Sequence, residues 1–468
     1  MAATALRLEM LVGRQPRVAR SSQPWALGHS PVGAGDTERI HSSSPRFDMN
    51  ESARKRILDT LVEIAKGLKP LQSELELFAH PKSGQNFMHD CVLMSISGES
   101  LKIHDELVAS LLKQEAWSDK FSEKFLDGQL RSLYARFLLN PSVETLAAGL
   151  GELTGYYQNF NTEHLVVIPL AGIVMTIDSL EIGSVSLRRA TPAYLQQCIL
   201  GPIKDLPADL VEKSVQRVLK GRKETVCAEC RIVAERKRAE ERTFDECNRA
   251  LDVLRYAIPE LNPPHLKTSI GFEYDVLTGD WLRFFTSVVG GDQMPAGGQQ
   301  NFSFSELKLD ANTAGTLERI GALRLSTALK KPMSQLTDFE KVVLRGVRWY
   351  SMSQKTMETE NKFLNLTTCL ETFFTPKERD PIANAIAEGC AFVLGEGFEN
   401  RKSIHRRVKQ LYGQRSGLSH GGKTAILDSE LMEIEFIAWH LLYAMIAKLD
   451  EIQSKESLRE WIEEQKFK

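Results

Sequence analysis

"NRKSIHRRVKQLYGQRSGLSHGG", residues 400–422, is the stretch on which the reading of this chain turns. Ile404, Val408 and Leu411 recur at the i, i+4, i+7 spacing of one helix face. The next position on that face is Arg415. A cation continuing a core-facing stripe must be paired or used, because an isolated buried charge is costly. Residues 400–415 carry six Lys or Arg and no acid: Arg401, Lys402, Arg406, Arg407, Lys409 and Arg415. No other stretch of the chain is so basic. Gly417, Gly421 and Gly422 suggest a tight helix end that folds His420 back towards Arg415.

Start signals for further helices surround this stretch. Thr337-Asp338-Phe339-Glu340 is a capping box, and Asp380-Pro381 supplies an N-cap with Pro at the first helical position. Asp428 and Ser429 can cap a long last helix, with Leu431, Ile434, Ala438, Leu441, Met445 and Leu449 on one stripe. The expectation is a bundle of about five helices over roughly 335–464. Upstream, Ile57, Leu61, Ile64 and Leu68 mark a helix ended by Pro70, and helical patterns cover 101–114, 118–138 and 142–150. Residues 164–189 are rich in Val and Ile and read as two or three strands, with another over 224–233. A charged helix then runs from 234 to about 256, stopped by Pro259. Strand signals return at 269–276 and 281–289, and "GGDQMPAGGQQN", 290–301, reads as a flexible loop. The fold class is therefore α+β: a mixed α+β domain over 49–332, then an all-α bundle over 333–468, divided near Lys330-Lys331-Pro332.

Composition sets the outer limits. The chain has 468 residues, 42% hydrophobic and 26% charged, with a net charge of −2. Any nucleic-acid-binding surface must therefore be local. The longest nearly apolar run, 165–177, has 13 residues, short of the roughly 20 of a spanning helix, so no membrane partner is expected. Seven unpatterned cysteines suit a reducing cytoplasm. Cys227 and Cys230 form a CxxC, but on a strand residues three apart face opposite ways, which disfavours a shared metal. His104, His164 and His265 lack ligand spacing, and no P-loop, Rossmann or His-Glu-x-x-His motif occurs, so neither cofactor nor metal is expected. Residues 1–48 hold six Arg and no Lys and read as a disordered leader, or as sequence ahead of a true start at Met49.

"LYGQRSGLSHGG" resembles the Arg-x4-6-His signature of HEPN domains, in the branch called Apea-like HEPN. "VLRGVRWYSMSQKT" (343–356) and "FLNLTTCLETFF" (363–374) precede it in the order and approximate spacing of that branch, so the resemblance covers about 130 residues. The segment 228–261 resembles, more softly, what precedes the domain in such proteins. The resemblance implies a HEPN-like helical bundle acting as a metal-independent endoribonuclease and a homodimer, as in toxins and anti-phage defence proteins. The family's Arg falls on Arg415, its polar residue on Ser416, its His on His420 and its helix-borne acid on Glu371. Ser416 stands where Asn, Asp or His is commoner.

Such residues suit RNA cleavage by internal transfer. A histidine titrating near neutrality can take the proton of a 2′-OH or protonate the 5′ leaving oxygen. A guanidinium can bind the phosphorane oxygens, and the products are a 2′,3′-cyclic phosphate and a 5′-OH. Arg401, Lys402, Arg406, Arg407 and Lys409 would contact the RNA backbone, with tRNA among the candidate targets. Residues 49–332 would receive a trigger ligand or restrain the dimer. Two alternatives stay open. Arg415 and His420 can be a structural pair, with Glu371 neutralising Arg415 inside the bundle. The chain can equally be a non-catalytic HEPN protein used for dimerisation or RNA binding.

Overall fold

A computed structural model describes residues 50–77, 84–200, 207–262, 267–272, 281–286, 296–301, 304–374, 381–419 and 425–467. The architecture is mixed α+β and predominantly helical. Four strands make the central sheet: β1 (Glu163–Leu170), β2 (Ser179–Ile182), β3 (Val185–Ala190) and β4 (Thr225–Val233). They lie in the order β1-β4-β3-β2, antiparallel throughout, with Val166 opposite Cys230 and Leu187 opposite Ala228. Pro169 is tolerated because β1 lies at the sheet edge, where a missing N–H breaks no inner ladder. Gly183 turns the β2–β3 hairpin at φ +62°, a left-handed conformation that favours glycine.

Both faces of the sheet are covered. On one, Leu195 of α1 (Pro192–Leu200) and Val215 and Leu219 of α2 (Ala208–Leu219) pack around Cys227. On the other, Cys230 joins the main core beneath α3 (Arg236–Leu261). The CxxC thiols thus point to opposite faces, as the strand period of two requires. The expectation that Pro259 stops this helix is corrected: α3 runs on to Leu261 with Pro259 in its last turn, where little helix remains to be disrupted.

Strand pairing departs from the sequence reading in several places. The first described helix, Glu51–Ala65, ends before Leu68, which belongs to a strand, Leu68–Pro70, and pairs with Ile96. The backbone reverses at Gly67, whose carbonyl accepts from Ser97 N at 3.0 Å. The 164–189 region contains four strands, because Ile173–Met175 pairs in parallel with the distant Leu307–Leu309. Ala296–Asn301, read as loop, pairs with Trp281–Thr286. Residues 290–295, 273–276 and 287–289 of the other expected segments lie outside the described residues, as do residues 1–48 and His265. Within 269–272 the chain makes only an isolated bridge, Gly271 to Ala171.

After Pro332 the described elements are helical: α4 (Asp338–Gln354), α5 (Thr359–Phe373), α6 (Ile382–Leu394), α7 (Phe398–Ser419), α8 (Asp428–Ala447) and α9 (Lys455–Gln465). These are six α-helices where about five were expected, because 455–465 forms a separate helix after α8. The capping box forms as read: Glu340 N donates to Thr337 Oγ1 at 3.1 Å, and Thr337 N to Glu340 at 2.8 Å. Two caps differ. Pro381 is itself the N-cap of α6, with Asp380 outside the described residues, and Leu427 caps α8 by donating its N–H to Glu430 at 3.1 Å.

The core is continuous across the expected boundary at 332. Ile182 and Leu187 of the sheet, Leu254 of α3, and Phe363 and Leu441 of the bundle are all fully buried in one cluster. Residues 49–468 form one compact unit, so Lys330-Lys331-Pro332 is a connection and leaves no gap in the core. Arg255 of α3 is buried at the junction with α4: it donates to Ser351 Oγ at 3.2 Å and to the Ile270 carbonyl at 2.7 Å, with Asp252 at 3.4 Å. Close packing of the bundle depends on Gly346 of α4, where a Cβ would sit 2.7 Å from the Phe373 ring and 3.1 Å from Leu442. Gly346→Ala is expected to cost about 1–3 kcal/mol of stability through overpacking. An unchanged denaturant midpoint would contradict this contact. Among the described residues no helix is long and apolar enough to cross a membrane.

Candidate functional site

The helix carrying the basic run is longer than expected. α7 continues through Ser416, Gly417 and Leu418 to Ser419, so Arg415 lies inside the helix and not at its end. This corrects the tight turn expected at Gly417. His420 and the side chain of Ser416 lie outside the described residues.

Arg415 meets Glu371 across the α5–α7 contact. Arg415 Nη2 donates to Glu371 Oε2 at 3.2 Å. Arg415 Nε sits 2.6 Å from Oε1, but its N–H is poorly aligned with that oxygen, so charge attraction dominates this contact. Tyr412 OH donates to the same Oε1 at 2.7 Å, and the Arg415 guanidinium lies 5.6 Å from the Tyr412 ring centroid. Burial, reinforced by the Glu371 carboxylate, pushes the Tyr412 phenol well above its ordinary range and keeps it a donor at neutral pH. Arg415 is 31% exposed and Glu371 23%, so solvent reaches the pair.

The basic run divides between two faces of α7. Ile404, Val408 and Leu411 are buried as expected, with Tyr412 and Arg415 on that side. Lys402, Arg406, Lys409 and Gly413 form an exposed stripe, roughly 120–180° around the helix from Arg415. Two of the five expected RNA contacts are engaged internally. Arg401 donates to the Gly395 carbonyl at 3.1 Å and the Gln465 carbonyl at 3.2 Å, over the Phe392 ring. Arg407 is clamped by Glu433 of α8, with Nε 2.8 Å from each carboxylate oxygen, and that bonding holds its guanidinium above the ordinary range. Lys402 lies over the Phe398 ring and Lys409 Nζ reaches Asn384 Oδ1 at 3.3 Å, yet both remain exposed. Arg406 has no partner among the described residues.

The chain matches no protein-family model, no curated protein and no solved structure.

The chemistry of the cluster follows from its own atoms. A guanidinium has five N–H donors, and the Glu371 contact uses only the Nε–Nη2 edge. The Nη1 side has no partner among the described residues and can accept an oxyanion. Tyr412 is the residue that the sequence reading missed. Its signal was present: it lies three residues before Arg415, hence on the same side of α7. A cavity of about 330 Å3 lined by Glu260, Asn262, Lys308 and Asp310 shares no residue with this cluster. His104 instead has a packing role, buried with Nδ1 2.9 Å from Tyr134 OH and Nε2 3.0 Å from Asp127.

Proposed function

We propose that this chain is a cytoplasmic HEPN-type endoribonuclease of the toxin or anti-phage class, cutting RNA to 2′,3′-cyclic phosphate and 5′-OH ends. The observation that carries the reading is the Glu371-held, part-exposed Arg415 guanidinium, whose Nη1 side has no partner among the described residues, five positions before His420 in the sequence. In this mechanism the ribose 2′-oxygen attacks phosphorus while the bond to the 5′-oxygen breaks. His420 takes the 2′ proton or supplies one to the leaving oxygen, and Arg415 neutralises the phosphorane oxygens. Ser416 lies beside them in sequence as the family's polar residue. Incubating the full chain with RNA and sequencing the ends tests this. Cyclic-phosphate and 5′-OH ends are expected, and excess EDTA leaves cleavage intact because Arg415 supplies the charge that a metal would otherwise bring. A strict Mg2+ requirement, or 5′-phosphate ends, would overturn the mechanism.

One chain brings one Arg415 and one His420, whereas the reaction uses an acid, a base and charge stabilisation together. Two bundles related by a two-fold axis supply both motifs to one cleft, and the α+β part restrains them until a trigger ligand binds. Light scattering is expected to find a dimer. Mixing in Arg415→Ala chains should lower activity beyond dilution, and a fully active monomer would contradict the shared cleft.

A second reading has its own observation. The same trio recurs between the sheet and α1: Tyr194 OH of α1 donates to Glu229, Arg188 Nε lies 2.9 Å from Glu229, and the guanidinium is 5.9 Å from the Tyr194 ring centroid. The Glu371 trio would then be a clamp between α5 and α7 in a non-catalytic protein that dimerises or binds RNA.

A further inference from the structure

We infer that Tyr412 is a positioning residue that sets the direction of the Arg415 guanidinium through the Glu371 carboxylate; its catalytic consequence rests on the ribonuclease reading above. A carboxylate facing a guanidinium can rotate about its last torsion and offer either oxygen to either edge. Tyr412 restricts that freedom in two ways. Its hydroxyl donates to Glu371 Oε1 at 2.7 Å, which leaves Oε2 to receive Arg415 Nη2 at 3.2 Å. Its ring, 5.6 Å from the guanidinium carbon, provides a face on which the cation rests. Both contacts come from one side chain that is itself only 6% exposed, so packing fixes its rotamer.

The poor alignment of Nε makes this support matter. Arg415 and Glu371 share one well-aligned hydrogen bond where a full fork would give two, so the pair alone does not set the guanidinium plane. With Tyr412 in place, the Nη1 side, which has no partner among the described residues, keeps one direction. Without its hydroxyl, the carboxylate loses one of the bonds that orient it, and Arg415 samples a wider range of directions.

Tyr412→Phe tests this, since it keeps the ring and removes only the hydroxyl. In the full-length chain, kcat for RNA cleavage is expected to fall about tenfold with KM unchanged, matching a lost hydrogen bond to a charged group. In a Glu371→Gln background the same substitution should have less than a twofold effect, because the hydroxyl then has no carboxylate to fix. A second readout needs no activity: the side-chain Nε–H resonance of Arg415, assigned with Arg415→Lys, should shift or broaden in Tyr412→Phe. An unchanged resonance, or equal kcat losses in both backgrounds, would overturn the positioning role even if the wild type cuts RNA. A wild type that cuts no RNA, with the resonance still responding to Tyr412→Phe, overturns the ribonuclease reading and the catalytic consequence while the positional coupling stands.

Discussion

Arg415→Ala and His420→Ala are each expected to abolish RNA cleavage while leaving the fold intact. Loss of a preorganised charge donor typically costs about 3 kcal/mol of transition-state stabilisation, or about 10²-fold in rate, and loss of a general acid or base about 10²–10⁴-fold. The folding cost at Arg415 is smaller. Its side chain is 31% exposed, and after truncation Glu371 still accepts from Tyr412 and still meets solvent. Arg415→Lys should not rescue, because an ammonium on a flexible stem cannot present a planar pair of donors. Cleavage rates with circular dichroism decide the matter. Full activity in either alanine variant ends the catalytic assignment, and loss of helical signal in both points to the clamp between α5 and α7.

The second large effect concerns Arg255, which touches no proposed catalytic group. Arg255→Met should destabilise the protein by about 3–5 kcal/mol, the usual result of removing one member of a buried ion pair. Arg255 is 2% exposed and bridges Asp252, Ser351 and the Ile270 carbonyl, so its loss strands several partners together. Burial raises the Asp252 carboxyl, while Ser351, Arg255, Arg348 and Lys355 hold it down. Without Arg255 the upward shift grows. A raised folded-state pKa means that the native state binds protons more readily than the unfolded one, so stability falls as pH rises through that window. The deficit of Arg255→Met should therefore shrink as the pH is lowered from neutral towards the ordinary aspartate range. Denaturant melts at several pH values check this, and a deficit independent of pH would show that Asp252 is not the stranded group.

Local pattern was legible in the sequence, and distant partnership mostly was not. The stripe Ile404, Val408, Leu411 is buried, and the Thr337–Glu340 capping box closes as its spacing demands, because both are satisfied within a few residues. Leu68 fits a helical period equally well, yet it pairs with Ile96, a choice that only the tertiary ladder makes. Ala296–Asn301 has the composition of a loop, but backbone groups alone can hold a ladder, so composition could not exclude a strand. Gly417 was a fair stop signal in isolation, though α7 passes through it. For Arg415 the sequence demanded a partner, and resemblance to a family pointed to Glu371. Tyr412 escaped notice because an aromatic beside an apolar stripe reads as core. Which of Arg401, Lys402, Arg406, Arg407 and Lys409 remain exposed depends on α6, α8 and α9, whose placement no local pattern encodes.

Under the ribonuclease reading proposed above, the split of α7 into opposed faces would separate grip from cut. A polyanion lying along Lys402, Arg406 and Lys409 rests about a helix diameter, ~10 Å, from the side that carries Arg415. A strand held by that stripe therefore does not pass over the guanidinium of the same helix without wrapping around it. In the proposed assembly of two chains, the helix that would anchor the strand and the helix that would cleave it need not be the same one. Affinity and turnover would then be separable traits: charge changes on the stripe would alter how long RNA stays, while Arg415 would decide only what happens to it.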